Sequence, residues 1–351
     1  MIDVRILLIL VFALIGGILA YFLGFPMPFL LGGIIGAAGF VLYYERNDNV
    51  LPRMSNWYRI IFVAMIGVMI GSRFTPDLIP LLPLFWISAI AIVPFILIAH
   101  AGNYLMMRRI GKYEKLDAYF AALPGGIVDS VSLAEEAGAD ARVVTAQHFV
   151  RILMVVGAVP LLFWAIEGNA VGSIAGETLT DGIYSSIDLI VVLAVSLIGL
   201  FAGRIVNLPV AHLTGPLILA ILLSVLGFLE LSFPIWLPHV CQFMIGASLG
   251  SQFSGVSRKL LVRGLGIGIL SGSFMLLLAA SIAILLEPLV PADFGSLFIS
   301  FAAGGMAEMS LIALTLNFAP VVVALHHLVR IFLTIWIGNM LWQQIFRSRM
   351  S

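Results

Sequence analysis

The sequence predicts an all-α integral membrane protein with about ten transmembrane helices, two re-entrant broken-helix hairpins and two inverted-topology repeats. Three observations carry that expectation. Of 351 residues, 62% are hydrophobic and only 10% are charged, where a soluble domain devotes about a quarter to charge. The mean hydropathy of +1.14 says the same. Such a chain lacks the polar surface to cover itself in water, and its apolar runs each approach the roughly 20 residues that a spanning helix needs. The chain also repeats itself at a fixed interval.

In order along the first half, apolar runs occupy 4–23, 27–44, 57–73, 81–107 and 142–166, with an irregular segment at 118–140 before the last. The opening run, MIDVRILLILVFALIGGILAYFLGF, is too long for a usual signal peptide and carries no small-x-small cleavage site, so it reads as a retained span. The second half has runs at 186–203, 210–229, 235–253, 262–286 and 320–345, with 295–317 as its irregular segment.

The halves correspond residue by residue. Gly304-Gly305 follows Gly125-Gly126 by 179 residues; Glu308 answers Asp129, His326-His327 answers Gln147-His148, and Arg330 answers Arg151 at the same interval. IGVMIGSRF and IGASLGSQF share that interval, while PMPFLLGG and PVAHLTGP lie 183 apart. Three blocks in one order define a duplication, with repeats at 1–170 and 185–351.

Whether the irregular segments cross the bilayer decides the symmetry, and positive charge decides that. Short cytoplasmic loops collect Lys and Arg. Five crossings per half, with both termini inside, put every loop Arg and Lys on the inner side except Arg73. Six crossings would move Arg142, Arg204, Arg258, Lys259 and Arg263 outside. The acid-only stretches with Glu167, Glu177 and Asp181, and with Glu287 and Asp293, fall outside in the first arrangement. The repeats are therefore expected to be inverted.

A segment that does not cross must enter and return. In DAYFAALPGGIVDSVSLAEEAGA, Pro124 removes a backbone donor and Gly125-Gly126 permits a reversal. Non-helical backbone at membrane depth is tolerated only where protein buries it or a cavity wets it, and inverted-repeat transporters place interrupted helices of this kind at their midplane sites. Gln147, His148 and Arg151 share one face of the next helix, as do His326, His327 and Arg330. Each Arg sits about ten residues, or about 15 Å, into its helix. There it must face the interior and hold an anion, either the Asp129 or Glu308 carboxylate as a strut or a solute. The histidines read first as hydrogen-bonded core residues and second as proton carriers. Glu135, Glu136 and Asp140 read as solvated charge, and GILSGSFMLLLAASIA as packing.

Other chemistries find little support. Lys plus Arg equals Asp plus Glu at 18 each, and no basic stripe suits a nucleic acid. The single cysteine, Cys241, excludes an internal disulfide. The six histidines are scattered; only His326 and His327 are adjacent, and helix neighbours point about 100° apart, which poorly serves a shared metal. No metal or cofactor is expected.

At these residues the sequence resembles the membrane AbrB-type family, the AbrB duplication proteins, over nearly the whole chain. The marks are Pro124-Gly125-Gly126, Gly138-Ala139-Asp140, Gln147-His148-x-x-Arg151 and Pro160. The second half departs, with Ala303 in place of the proline and Asn317-Phe318-Ala319 in place of Gly-Ala-Asp. Family members carry the labels transcriptional regulator and ammonia monooxygenase. The resemblance implies a role in regulating gene expression, which without a DNA-reading element would be indirect.

The sequence thus points to a multi-pass protein of the inner (plasma) membrane and not to an enzyme. It reads as a secondary transporter of a small anionic, carboxylate-like solute bound at Gly125, Gly126, Asp129, Gln147, His148, Arg151, Gly304, Gly305, Glu308, His326, His327 and Arg330. Its partners would be the lipid bilayer, the solute, a coupling proton or cation, and a second copy of the chain. A membrane-embedded regulator that senses a small molecule is the alternative, and a metal-dependent oxygenase the third reading.

Overall fold

A computed structural model describes residues 3–47, 50–52, 54–167, 186–234, 236–255 and 258–345. All elements among them are helical and none is a strand. In chain order they are α1 (Val4–Phe22), α2 (Pro28–Tyr44), α3 (Asn56–Gly71), α4 (Trp86–Arg109), α5 (Lys115–Ala121), α6 (Ile127–Glu136), α7 (Ala141–Glu167), α8 (Ser186–Ile205), α9 (Ala211–Val225), α10 (Trp236–Ser251), α11 (Arg258–Leu286), α12 (Phe294–Phe301), α13 (Met306–Thr315) and α14 (Pro320–Ile345). Arg53, Glu177, Asp181, Arg347 and Arg349, used in the charge pattern, lie outside the described residues.

Each of the ten apolar runs is one helix, and each irregular segment is two short ones. Six helices have the length and apolarity to cross a membrane: those at Val4–Phe22, Leu78–Arg109, Ala141–Ile166, Ile187–Ile205, Gly264–Leu286 and Pro320–Gln344. Helices α2, α3, α9 and α13 are apolar but shorter. The fourth run differs from its expectation at one end. Residues Pro76–Phe85 form a 3-10 helix, because Pro80 and Pro83 each withhold a backbone donor that an α-helix would use.

The described helices form two compact units, and each draws on both halves of the sequence. The first comprises Met1–Pro80, Gly157–Gly255 and Ser310–Val321. Glycines make its helix crossings. A Cβ on Gly32 of α2 would lie 2.3 Å from the Gly16 carbonyl oxygen of α1, and one on Gly215 of α9 would lie 2.1 Å from that of Gly199 in α8. Only glycine lets these backbones approach so closely. Gly67 of α3 would meet the Leu213 carbonyl of α9 at 2.7 Å, while Gly246 of α10 would meet the Leu30 carbonyl of α2 at 2.6 Å. The third helix of each half therefore packs on the second helix of the other. The turns into α2 and α9 share a further feature: Met27 and Val210 both adopt left-handed backbone, at φ 48° and 50°. For β-branched Val210 that is strained.

The second unit comprises Leu81–Val156, Val256–Met309 and Val322–Ser351. Here α11 offers a glycine groove to α7. Cβ atoms on Gly264, Gly268 and Gly272 would meet Gln147 Nε2 at 2.9 Å, Val150 Cγ1 at 2.3 Å and Met154 Sδ at 2.5 Å. Four-residue spacing keeps all three on one face, so the packing role expected for this stretch has a specific partner. Deeper in α11, Ser271 donates to Asn103 Oδ1 of α4 at 2.8 Å. Tyr119 of α5 donates to the Gly338 carbonyl of α14 at 2.7 Å and belongs to an apolar cluster with Phe120, Leu123 and Val144.

Candidate functional site

The site is built from two interrupted helices, and both breaks lie in the second unit. Helix α5 stops at Ala121, residues 122–126 pass through Pro124 and the glycine pair, and α6 begins at Ile127. Helix α12 stops at Phe301, residues 302–305 contain Gly304-Gly305, and α13 begins at Met306. A helix end leaves its last carbonyls without backbone partners, and away from water these must be satisfied by something else.

Arginine and histidine from the following long helix do this. On α7, Arg151 donates from Nη1 to the Leu123 carbonyl at 2.8 Å and from Nη2 to that of Gly125 at 3.4 Å. Its Nη2 also meets His148 Nδ1 at 3.0 Å, and His148 Nε2 meets the Phe120 carbonyl at 3.0 Å. On α14, Arg330 donates to Ala302 at 2.9 Å, to Phe301 at 3.4 Å and to Gly304 at 3.1 Å. Its Nη2 meets His327 Nδ1 at 2.8 Å, and His327 Nε2 meets the Ile299 carbonyl at 3.0 Å. Residues Phe120, Leu123, Gly125, His148 and Arg151 become Ile299, Ala302, Gly304, His327 and Arg330 at a constant 179. The chemistry of the partners fixes each imidazole: a guanidinium only donates and a carbonyl only accepts, so Nδ1 accepts and Nε2–H donates.

The acids hold the opposite ends of the breaks. Asp129 and Glu308 lie in the first turns of α6 and α13, where a negative side chain is favoured by the helix dipole. Each carboxylate folds over its second glycine: a Cβ on Gly126 would lie 2.8 Å from Asp129 Oδ2, and one on Gly305 2.0 Å from Glu308 Oε2. The glycine pair thus leaves room for a carboxylate as well as for a turn. Among the described residues neither guanidinium has a carboxylate as a hydrogen-bond partner; carbonyls and an imidazole stand where the ion-pair strut was expected.

The remaining sequence candidates separate. Gln147 turns away from the break and reaches the Tyr113 hydroxyl at 2.7 Å. His326 faces Ser88 Oγ at 2.8 Å and the Val322 carbonyl at 2.8 Å. Glu135, Glu136 and Asp140 are exposed. Asp140 accepts the Arg142 N–H at 2.9 Å and so caps α7, while Gly138 ends α6 at φ +81°. Asn317 takes the corresponding left-handed turn at φ 59°, so the second half departs from Gly-Ala-Asp without changing this backbone turn.

Three participants escaped the sequence reading. His100 of α4 packs edge-on against Tyr119 of α5, just before the first break, with ring centroids 4.7 Å apart. Thr334 lies one turn beyond Arg330, and its Cγ2 would sit 2.8 Å from a Cβ on Gly125, so α14 packs on the first break as well as the second. Ser88 was not distinguishable from any other serine in an apolar run. The side chains of Arg151, Arg330 and Thr334 are nine-tenths buried or more. Among the described residues, Nε of each arginine and Oγ1 of Thr334 find no hydrogen-bond partner. Arg151 and Arg330 are both buried in the second unit, so two like charges lie in a low-dielectric interior. Among the described residues, no three His, Cys, Asp or Glu side chains group as a metal site would require.

Comparison with known proteins places residues 36–346 in a match to the family described as "Transition state regulatory protein AbrB". The chain is 24% identical over 343 residues to the "Uncharacterized protein YhjN" of Bacillus subtilis (strain 168), covering 91% of this chain and 88% of that protein. It is 24% identical over 288 residues to the "Putative regulator AbrB" of Escherichia coli (strain K12), covering 82% of this chain and 81% of that protein.

Proposed function

We propose that this chain, which belongs to the AbrB family, is a secondary transporter of a small anionic, carboxylate-like solute. In this reading ten helices cross the bilayer, α5–α6 and α12–α13 enter and return, the two repeats are inverted, and both termini are cytoplasmic. The observation that carries it is the pair of buried guanidinium groups, each tied to a helix break and neither hydrogen-bonded to a carboxylate among the described residues. Arg151 uses three of the five N–H donors of a guanidinium on carbonyls and His148, and Nε–H of both arginines remains available. An anion at these donors relieves the mutual repulsion, and Thr334 offers a hydroxyl nearby.

Broken helices at corresponding positions of two repeats are the arrangement that transporters use for a midplane site. The test is a thermal-shift screen of purified protein against small carboxylic acids, amino acids and amines. A carboxylate should raise the melting temperature of the wild type, and Arg151→Ala and Arg330→Ala should remove that response. Equal responses in wild type and both variants would refute the anion assignment.

The names of the family and of the Escherichia coli relative favour a second reading, a membrane-embedded regulator of gene expression. It needs a surface for a soluble partner, and the segment RRIGKYEKLD at 108–117 is the candidate. Crosslinking from this segment to a soluble protein would support it.

A further inference from the structure

One buried histidine differs from its neighbours in a way that matters for protons. His148 and His327 each lie between an arginine donor and a carbonyl acceptor. A second proton on either ring would aim Nδ1–H at a guanidinium N–H. Their surroundings admit one state only.

His326 sits between a carbonyl and a hydroxyl. Its Nδ1 lies 2.8 Å from the Val322 carbonyl, which only accepts, so Nδ1 carries hydrogen. Its Nε2 lies 2.8 Å from Ser88 Oγ, and that oxygen lies 2.9 Å from the Phe85 carbonyl. The single hydroxyl hydrogen of Ser88 cannot serve both. With a neutral ring, Ser88 donates to Nε2. When Nε2 takes a proton from water, Nε2–H donates to Ser88 Oγ and the hydroxyl hydrogen turns to the Phe85 carbonyl. Both states are fully hydrogen-bonded, and they differ by one hydroxyl rotation.

We propose that His326 and Ser88 form a proton-binding site, through which the transporter couples solute movement to protons. The groups facing His326 are uncharged on both neighbouring elements: Ser88 of α4 with the adjoining Phe85 ring, whose centroid is 6.2 Å away, and the Phe301 ring of α12 at 6.1 Å. The ionisable neighbours are on its own helix, His327 beside it and Arg330 one turn on. Arg330 links this site to the second break through the Ala302 and Gly304 carbonyls. Coupling to a metal cation at the breaks is disfavoured by the same geometry, because freed carbonyls that hold sodium in other transporters are here filled by the protein's own guanidinium cations.

The use of the site rests on the transport reading; proton binding does not. The experiment is a pH titration of purified, detergent-solubilised full-length protein labelled with 15N-histidine, read by imidazole nitrogen shifts. One buried ring should change protonation reversibly between about pH 5 and 8, while the rings of His148 and His327 keep the Nε2–H form throughout. His326→Gln should delete that transition, Ser88→Ala should displace its midpoint by about one pH unit or more, and Ser88→Thr should retain it. The Ser88 variants identify the ring even if His326→Gln fails to fold. A His326 signal constant across the range, or joint titration of His148 and His327, would overturn the proposal. Titration of His326 in a protein that binds no screened acid would leave the proton site standing and remove the transport reading instead.

Discussion

Arg151 and Arg330 show what a residue contributes when its partners are backbone rather than side chain. Lysine keeps the charge but presents one compact ammonium, which cannot span two carbonyls and an imidazole at once. Arg151→Lys and Arg330→Lys should each leave buried acceptors unsatisfied, at about 1–3 kcal/mol per lost partner, seen as a lower melting temperature in detergent; an unchanged melt would contradict the capping role. The acids make a separate prediction. Because a Cβ on Gly305 would meet Glu308 Oε2 at 2.0 Å, Gly305→Ala should disturb the break less when Glu308→Ala is also present. A double-mutant cycle in melting temperature checks this, and strict additivity would deny the contact. The sequence made Arg151, His148 and their counterparts legible through spacing alone, since two residues three apart must share a helix face. Their true partners were not legible. The carbonyls lie 26 to 29 residues upstream, and no property of Phe120 or Leu123 as a side chain advertises its backbone oxygen. His100 was hidden for a different reason: position 279, its counterpart in the second half, holds alanine.

Elements tell a more favourable story, because hydrophobic run length maps directly onto helix length. The run at 142–166 is α7 to within one residue at each end, and the glycine pairs mark where α5 and α12 give way to α6 and α13. Packing between elements was less visible: a glycine in an apolar run could face lipid or another backbone. Gly32 and Gly39 stand on the same helix, yet a Cβ on Gly32 would lie 2.3 Å from the Gly16 carbonyl oxygen and one on Gly39 would meet nothing within 4 Å. Accordingly Gly32→Leu should abolish a stable, monodisperse protein, as should Gly215→Leu at the matching crossing, whereas Gly39→Leu should melt close to the wild-type temperature. Equal behaviour of Gly32→Leu and Gly39→Leu would show that the α1–α2 approach does not sustain the first unit.

At the scale of the whole molecule, the 179-residue interval between matching segments was readable in the sequence, but the compact units were not. Each unit takes corresponding segments from both halves, and α7, α13 and α14 each run from one unit into the other. All the residues that cap the breaks fall in the second unit, a grouping that no linear boundary near 170–185 would suggest. The transport proposal requires that the interior of that unit open to each side of the membrane in turn. Thr334, buried beside Gly125, reports on this when changed to cysteine in a Cys241→Ala background. The direct measurement is labelling of Thr334→Cys in sealed vesicles of both orientations with a small membrane-impermeant thiol reagent. Modification from either face, slowed by the carboxylate that stabilises the wild type, is the result expected of a transporter. A folded protein whose cysteine reacts from neither face, or from one face only, would contradict the account.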